Sequence, residues 1–355
     1  MTSSGIARES QAGRTDMWLN TTWFVLYVII IAGYVILDGF DLGVGMLSPF
    51  LARSDQEKRI LLNSIGPVWD GNEVWLVLGG GALFAAFPLV YASLFSGFYT
   101  AMMLVLFVLI LRTVAIEFRS KREGVRWRAT WDWIFFGASL GITLLLGVAL
   151  GNVIQGVALD EAGNMSINLL DLLNPYALAV ALTAVAMLSL HGSIFLTQKV
   201  EGELLERVTT LIPKLMALFF TLMTVLMAWT LLLDEEITTN YRDRLWIGVF
   251  PLLGLVAVLA SFRFLSQKQY LSGFVASACM IALLLATVAA GMYPVLIPSS
   301  LNPDYDLTVT NSASAPETLT VMLVIAVIGL PFVLMYTAGV YYFFRGKVTL
   351  DEESY

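Results

Sequence analysis

Apolar residues occupy this chain in long blocks broken by short polar connections, and no block alternates apolar and polar positions as a half-buried strand would. A hydrocarbon core of about 30 Å needs roughly 20 apolar residues of helix to cross it. Nine blocks have that length, at about 18–47, 67–87, 91–116, 131–158, 175–198, 209–233, 245–264, 271–298 and 318–344. Helices satisfy their own backbone hydrogen bonds in lipid, whereas open sheets leave edges unpaired. The pattern therefore predicts an all-α integral membrane protein, a bundle of nine transmembrane helices. Its expected organisation is a polar N-terminal tail (1–16), a single transmembrane domain (17–347) and a short C-terminal tail (348–355). The first block is too long for the core of a signal peptide and reads as a retained span.

Cytoplasmic connections carry the excess of Lys and Arg. When Arg112, Lys214 and Arg263 are assigned to the connections they border, the N-terminal tail and the connections after spans 2, 4, 6 and 8 hold 4 of the 20 basic residues. The remaining connections and the C-terminal tail hold 16. This bias predicts an outside N-terminus and a cytoplasmic C-terminus. The basic loop 119–128 then lies inside, and the polar loops 159–174 and 299–317 face outward. Two of the contrary charges, Arg8 and Arg14, precede Met17, and a start at Met17 would sharpen the bias.

Composition agrees with lipid as the solvent. The chain is 58% hydrophobic and 13% charged, where soluble domains average roughly 25% charged. Its net charge of -7 is spread over short connections, so it says little about partners, and no nucleic acid is expected. One cysteine, Cys279, sits in an apolar run and offers neither a disulfide framework nor a thiolate metal site. One histidine, His191, is too few for a chain that would hold several haems through axial histidines.

Acids inside a membrane are expensive, about 2.5 to 3.5 kcal/mol for Asp at a helix centre, and mark function by default. Asp38 and Asp41 lie three apart in GYVILDGFDLGVG (33–45) and so share a helix face. Asp70 and Glu73 repeat that spacing in GPVWDGNEVW (66–75), and Glu117 closes the third span. All five fall toward the predicted cytoplasmic end. Partly buried carboxylates beside like charges take and release protons near neutral pH, so the cluster reads as a proton-uptake route. The alternative is that they are inner-interface residues paired with Arg112, Arg119 or Lys58.

The glycines Gly39, Gly43, Gly45, Gly79, Gly80 and Gly81 lack the Lys-Ser/Thr of a phosphate loop and sit in apolar spans. Close helix packing accounts for them. His191 reads first as a hydrogen-bonded packing residue, with a proton carrier or haem ligand as alternatives. Trp69, Trp75, Trp127, Trp131 and Trp133 fall near predicted boundaries, where an aromatic belt is expected.

The stretches GYVILDGFDLGVGMLSPFL (33–51) and NSIGPVWDGNEVWLVLGGGALFAAFPLVYASLFSGFY (63–99) resemble the signature of subunit II of cytochrome bd-type quinol oxidases. RWRATWDW (126–133), GVALGNVIQGV (147–157), LLNPYALAVAL (172–182) and MYPVLIPSSLNP (292–303) extend the likeness over almost everything after Met17. The resemblance implies a haem-free subunit that is not catalytic alone. It pairs with subunit I, which carries two b-type haems, haem d and the site of quinol oxidation. The complex reduces dioxygen to water in a bacterial cytoplasmic membrane. The resemblance places a proton path on Asp70, with Asp38 and Asp41 at or near its mouth, and associates Trp75 with dioxygen access. Expected partners are subunit I, membrane lipid and, as a further candidate, a small single-helix subunit. No cofactor or metal is expected to be ligated by this chain.

A rival from another class is an independent proton-coupled transporter. Its acids would lie midway along broken helices in matching halves of the chain, whereas these gather at one end.

Overall fold

The computed structural model describes the backbone of residues 3–233 and 235–350 and the side chains of 16–232 and 237–350. Most of the expected N-terminal tail, Met1 included, and the last residues of the expected C-terminal tail thus lie outside the described side chains. The chain runs α1 (Ser3–Leu51), α2 (Asp55–Ile65), α3 (Trp69–Ala86), α4 (Pro88–Gly97), α5 (Tyr99–Phe118), α6 (Val125–Gln155) and α7 (Pro175–Lys199). It continues through α8 (Gly202–Leu233), α9 (Glu235–Asp243), α10 (Val249–Ser266), α11 (Tyr270–Met292), β1 (Val295–Ile297), β2 (Leu307–Thr308) and α12 (Pro316–Phe343).

Among the described residues, eight helices are long and apolar enough to cross a membrane. The second expected span falls short because α3 opens on WDGNE, so its first turns carry Asp70, Asn72 and Glu73. The third was expected from 91, but its first residues belong to α4. Pro88 has no N–H to continue α3 and instead starts a new helix, which ends at Gly97 before α5 begins at Tyr99. The eighth was expected to reach 298, yet α11 stops at Met292 before Pro294. Beyond it lies a strand the sequence did not signal: β1 pairs antiparallel with β2 in a small two-stranded ribbon.

The helices pack around α1 and α7. From Ala186 to Thr197 every residue of α7 is buried, the mark of a helix enclosed on all sides. Small residues let α1 approach it closely. A Cβ built on Gly43 would lie 2.0 Å from the Leu188 carbonyl oxygen, and one on Gly192 would lie 2.7 Å from the Gly43 backbone. Gly147 and Gly151 of α6 face Ala181 and Ala177 of α7 in the same way, a one-turn repeat of small residues on both helices. Gly80 and Gly81 are different, since an added Cβ there meets nothing within 4 Å. Helices α8 and α12 leave most of their apolar surface uncovered by this chain.

The two ends of the bundle differ in chemistry. At one end Arg119 bonds both Asp55 (2.7 Å) and Asp132 (2.5 Å), Arg128 bonds Asp55 (2.6 Å), Lys58 bonds Asp132 (2.8 Å), and Arg207 pairs with Glu57. The loops after α1, α5 and α7 are thereby tied together, and the Val348 N–H bonds Lys199 O to bring in the C-terminal segment. At the other end the two polar loops meet. Ser299 Oγ donates to Leu159 O (2.9 Å), and Ser314 N–H donates to Ala86 O (2.9 Å) at the close of α3.

Two outcomes test this packing. Gly43→Ala forces α1 and α7 apart and should destabilise the detergent-solubilised protein by about 3 kcal/mol or more, whereas Gly80→Ala should stay within about 0.5 kcal/mol, both read from thermal midpoints. At Asp55, burial pushes the carboxyl up, but the hydrogen bond and charge of Arg119, with Arg128 and Arg59, outweigh it and hold the pKa below the ordinary carboxylate value. A lowered folded pKa means that the stabilisation is full above the ordinary carboxylate range and vanishes as pH falls through the lowered value. Thermal midpoints of the wild type and Asp55→Asn should therefore differ at neutral pH and converge in acid.

Candidate functional site

Where α1, α3 and α5 come together, a guanidinium stands among three carboxylates. Arg112 of α5 has no exposed surface, and its Nη2 lies 2.6 Å from Asp38 Oδ1 and 4.0 Å from Asp41 Oδ2. Its Nη1 lies 3.5 Å from Glu73 Oε2 on α3. Asp38 and Asp41 are themselves fully buried, and the Glu73 side chain is 20% exposed. The three-residue spacing of the two aspartates puts both on the face of α1 that meets α3 and α5.

Asn72 links this cluster to the last helix. Its Nδ2 donates to Asp41 Oδ2 (2.8 Å) and to Leu37 O (3.2 Å), while its Oδ1 accepts from the Tyr341 hydroxyl of α12 (2.8 Å). Every polar atom of the amide is thus engaged, which fixes its orientation. Asp41 Oδ1 is buried and finds no hydrogen-bond donor among the described residues.

Of the five acids singled out from the sequence, three converge. Asp70 sits on the first turn of α3 and is exposed, at the rim of the cluster with Glu73 one turn deeper. Glu117 lies five residues beyond Arg112 on α5, and at about 100° per residue it points well away from the guanidinium. It is half-buried and outside the group around Arg112. Trp75 is buried between α1 and α3, its ring filling the space left by Gly33, beside Ile30, Tyr34 and Ala82. Sequence reasoning missed Asn72 and Tyr341. Asn72 stood inside the WDGNE motif, where an amide beside intramembrane acids could have drawn notice; nothing in the sequence pointed to Tyr341.

His191 does not fit a haem ligand. It is fully buried, its Nδ1 lies 2.7 Å from Ser277 Oγ, its Nε2 lies 3.0 Å from Ile36 O, and its ring stacks on Phe274 at 4.9 Å. Ile36 O can only accept, so Nε2 carries the proton, and Nδ1 faces the Ser277 hydroxyl, which also lies 2.8 Å from Phe274 O. Neither nitrogen is left for a metal. Among the described residues no group of three or more His, Cys, Asp and Glu is arranged to hold one.

A bundle of long apolar helices, three of which enclose a charge cluster, defines a polytopic membrane protein. Comparison with known proteins gives its lineage. The profile described as cytochrome bd terminal oxidase subunit II matches residues 19–344. The chain is 36% identical to cytochrome bd-I ubiquinol oxidase subunit 2 of Escherichia coli strain K12, over 94% of this chain and 96% of that one. It is 35% identical to cytochrome bd ubiquinol oxidase subunit 2 of Bacillus subtilis strain 168, over 94% and 98%. A chain of the bd oxidase from Geobacillus thermodenitrificans shares the fold, with a TM-score of 0.76 at 19% identity over 92% of this chain and 98% of that one. The chain belongs to the cytochrome bd terminal oxidase subunit II family, and is thereby a subunit of an oxidoreductase complex.

Breaking a buried ion pair by removing one partner costs about 3–5 kcal/mol because the other charge is left uncompensated. Arg112→Gln should therefore lower the stability of the assembled protein by about that much. Adding Asp38→Asn to it should recover part of the loss. Equal thermal midpoints for the single and double variants would show that Asp38 is not the charge Arg112 compensates.

Proposed function

We propose that this chain is the haem-free subunit of a quinol-oxidising, dioxygen-reducing complex, and that its buried carboxylates carry protons from the cytoplasm toward the haems of subunit I. The observation that carries the reading is the cluster of Asp38, Asp41 and Glu73 around one guanidinium at the basic end of the bundle. Three carboxylates against one cation would leave two negative charges uncompensated in a medium that penalises them, and binding protons relieves that excess. Reduction of dioxygen to water consumes protons, so a group that loads and unloads them next to the catalytic subunit serves the reaction directly.

In this reading Asp70 is the surface acid at the rim, Glu73 the intermediate station, and Asp41 and Asp38 the buried ones. Glu117 serves only as an acid at the inner boundary. Trp75, packed between α1 and α3, lines the side from which dioxygen passes. The chain crosses a bacterial cytoplasmic membrane nine times, with α3 as the second crossing, the N-terminus outside and the basic end in the cytoplasm. One transmembrane domain spans 17–347. Two b-type haems and haem d reside in subunit I, and this chain ligates none of them. The uncovered apolar faces of α8 and α12 meet subunit I, lipid or a small accessory helix.

The test is quinol-driven oxygen uptake by the whole complex. Asp41→Asn should slow it by about tenfold or more, with the haem spectrum intact, because proton delivery and haem ligation use different residues. Asp70→Asn should slow it less, since a surface acid is more easily replaced by water. Full turnover in Asp41→Asn removes the relay; loss of the haem d band in either variant makes that residue one of assembly instead.

A further inference from the structure

A cavity of about 460 Å³ opens at the basic end of the bundle, between the turn that precedes α3 and the segment that follows α12. Its lining includes Asn63, Gly66, Lys199, Tyr341 and Lys347, and no acid. The lysines do not reach into it as free charges. Lys199 Nζ donates to Phe344 O (2.6 Å), and Lys347 Nζ donates to Thr197 O (2.9 Å) and Val200 O (2.7 Å), so each ammonium closes the carbonyl end of a helix. Arg345, the third cation of the lining, lies over the Tyr342 ring at 3.7 Å.

Tyr341 belongs to both the cavity and the cluster. It lines the cavity, and its hydroxyl donates to Asn72 Oδ1, whose amide nitrogen in turn donates to Asp41 Oδ2. Two hydrogen bonds of 2.8 Å thus span the distance from an open polar cavity to a carboxylate with no exposed surface.

We infer that this cavity is the solvent inlet through which Asp41 is reprotonated, and that Tyr341 and Asn72 are positioning residues holding the aspartate toward it. The inference rests on the proton-relay reading above and moves the mouth of the route from the rim acid Asp70 to the end of α12. The amide is not itself the carrier, since its nitrogen gives no proton away near neutral pH. Its role is to pin Oδ2 of Asp41, leaving the buried Oδ1, which has no donor among the described residues, as the atom that binds each proton entering by way of the cavity. The transfer balances as one proton from bulk water onto Asp41 for each proton that Asp41 delivers.

The experiment measures quinol-driven oxygen uptake by the complete oxidase between pH 6 and pH 8. Tyr341→Phe keeps the ring and removes the hydroxyl. It should slow uptake severalfold at pH 8 and much less at pH 6, because a delivery defect is felt most where protons are scarce. A purely structural role for Tyr341 would lower thermal stability and leave the shape of the pH profile unchanged. In the double variant with Asp41→Asn, uptake should be no slower than in Asp41→Asn alone, since both act on one route.

Plugging the inlet is the second arm. With Cys279→Ser as background, Asn63→Cys modified by a bulky thiol reagent should respire more slowly than the same variant unmodified. If Asp41→Asn slows uptake while Tyr341→Phe keeps the wild-type pH profile and modification at 63 changes nothing, the inlet is refuted and the relay stands. If Asp41→Asn itself respires at the wild-type rate, both fall.

Discussion

Arg112 carries a charge at a place where no water reaches it, and its position is set by what surrounds it rather than by its own helix. Two fully buried aspartates of α1 and one glutamate of α3 draw it in, and Asn72 adds a second polar link between those two helices. Taking such charges out of water is costly, and their mutual attraction repays that only when the geometry is close. The cluster therefore demands exact registry among α1, α3 and α5. Any sliding of one helix by a turn would leave a bare charge in the interior.

That registry is reached because the backbones on the other side of α1 are close enough to fix its height. Gly43 against Gly192 leaves no gap for a side chain, so α1 cannot shift along α7 without a clash. Apolar packing alone would tolerate small slips, since lipid tails and leucines are equivalent surroundings. Here glycine contacts supply the stop on one face and ionic contacts supply the attraction on the other.

Much of the architecture could be read from hydrophobic runs because membrane thickness imposes a length on every crossing. The errors fall where that rule is weakest. α3 matches its expected run but carries its acids in its first turns, which shortens its apolar stretch; α4 and α5 lie in one expected run that the structure divides between Gly97 and Tyr99. The ribbon of β1 and β2 is only three residues against two, too short for any periodicity to register. Within the site, Asp38, Asp41 and Glu73 were visible as acids in apolar surroundings, and Arg112 stood among three candidate partners. The exposure of Asp70 depends on the pose of one helix turn, and that of Glu117 on helical phase. Tyr341 was beyond reach, because its partner lies 269 residues away and nothing local marks the pairing.

That separation bears on how the chain is made. The helices emerge from the ribosome in order, so the acids of α1 enter the bilayer first and wait for α5 to bring their counter-ion. Asn72 waits far longer, since its tyrosine is among the last groups to be synthesised. During that interval the amide nitrogen has its acceptors on α1, but its oxygen lacks the donor that α12 brings. The C-terminal helix thus acts as a closing latch. A chain released early would retain the partners of its charge cluster, yet lack the bond that ties Asn72, and through it Asp41, to the last helix.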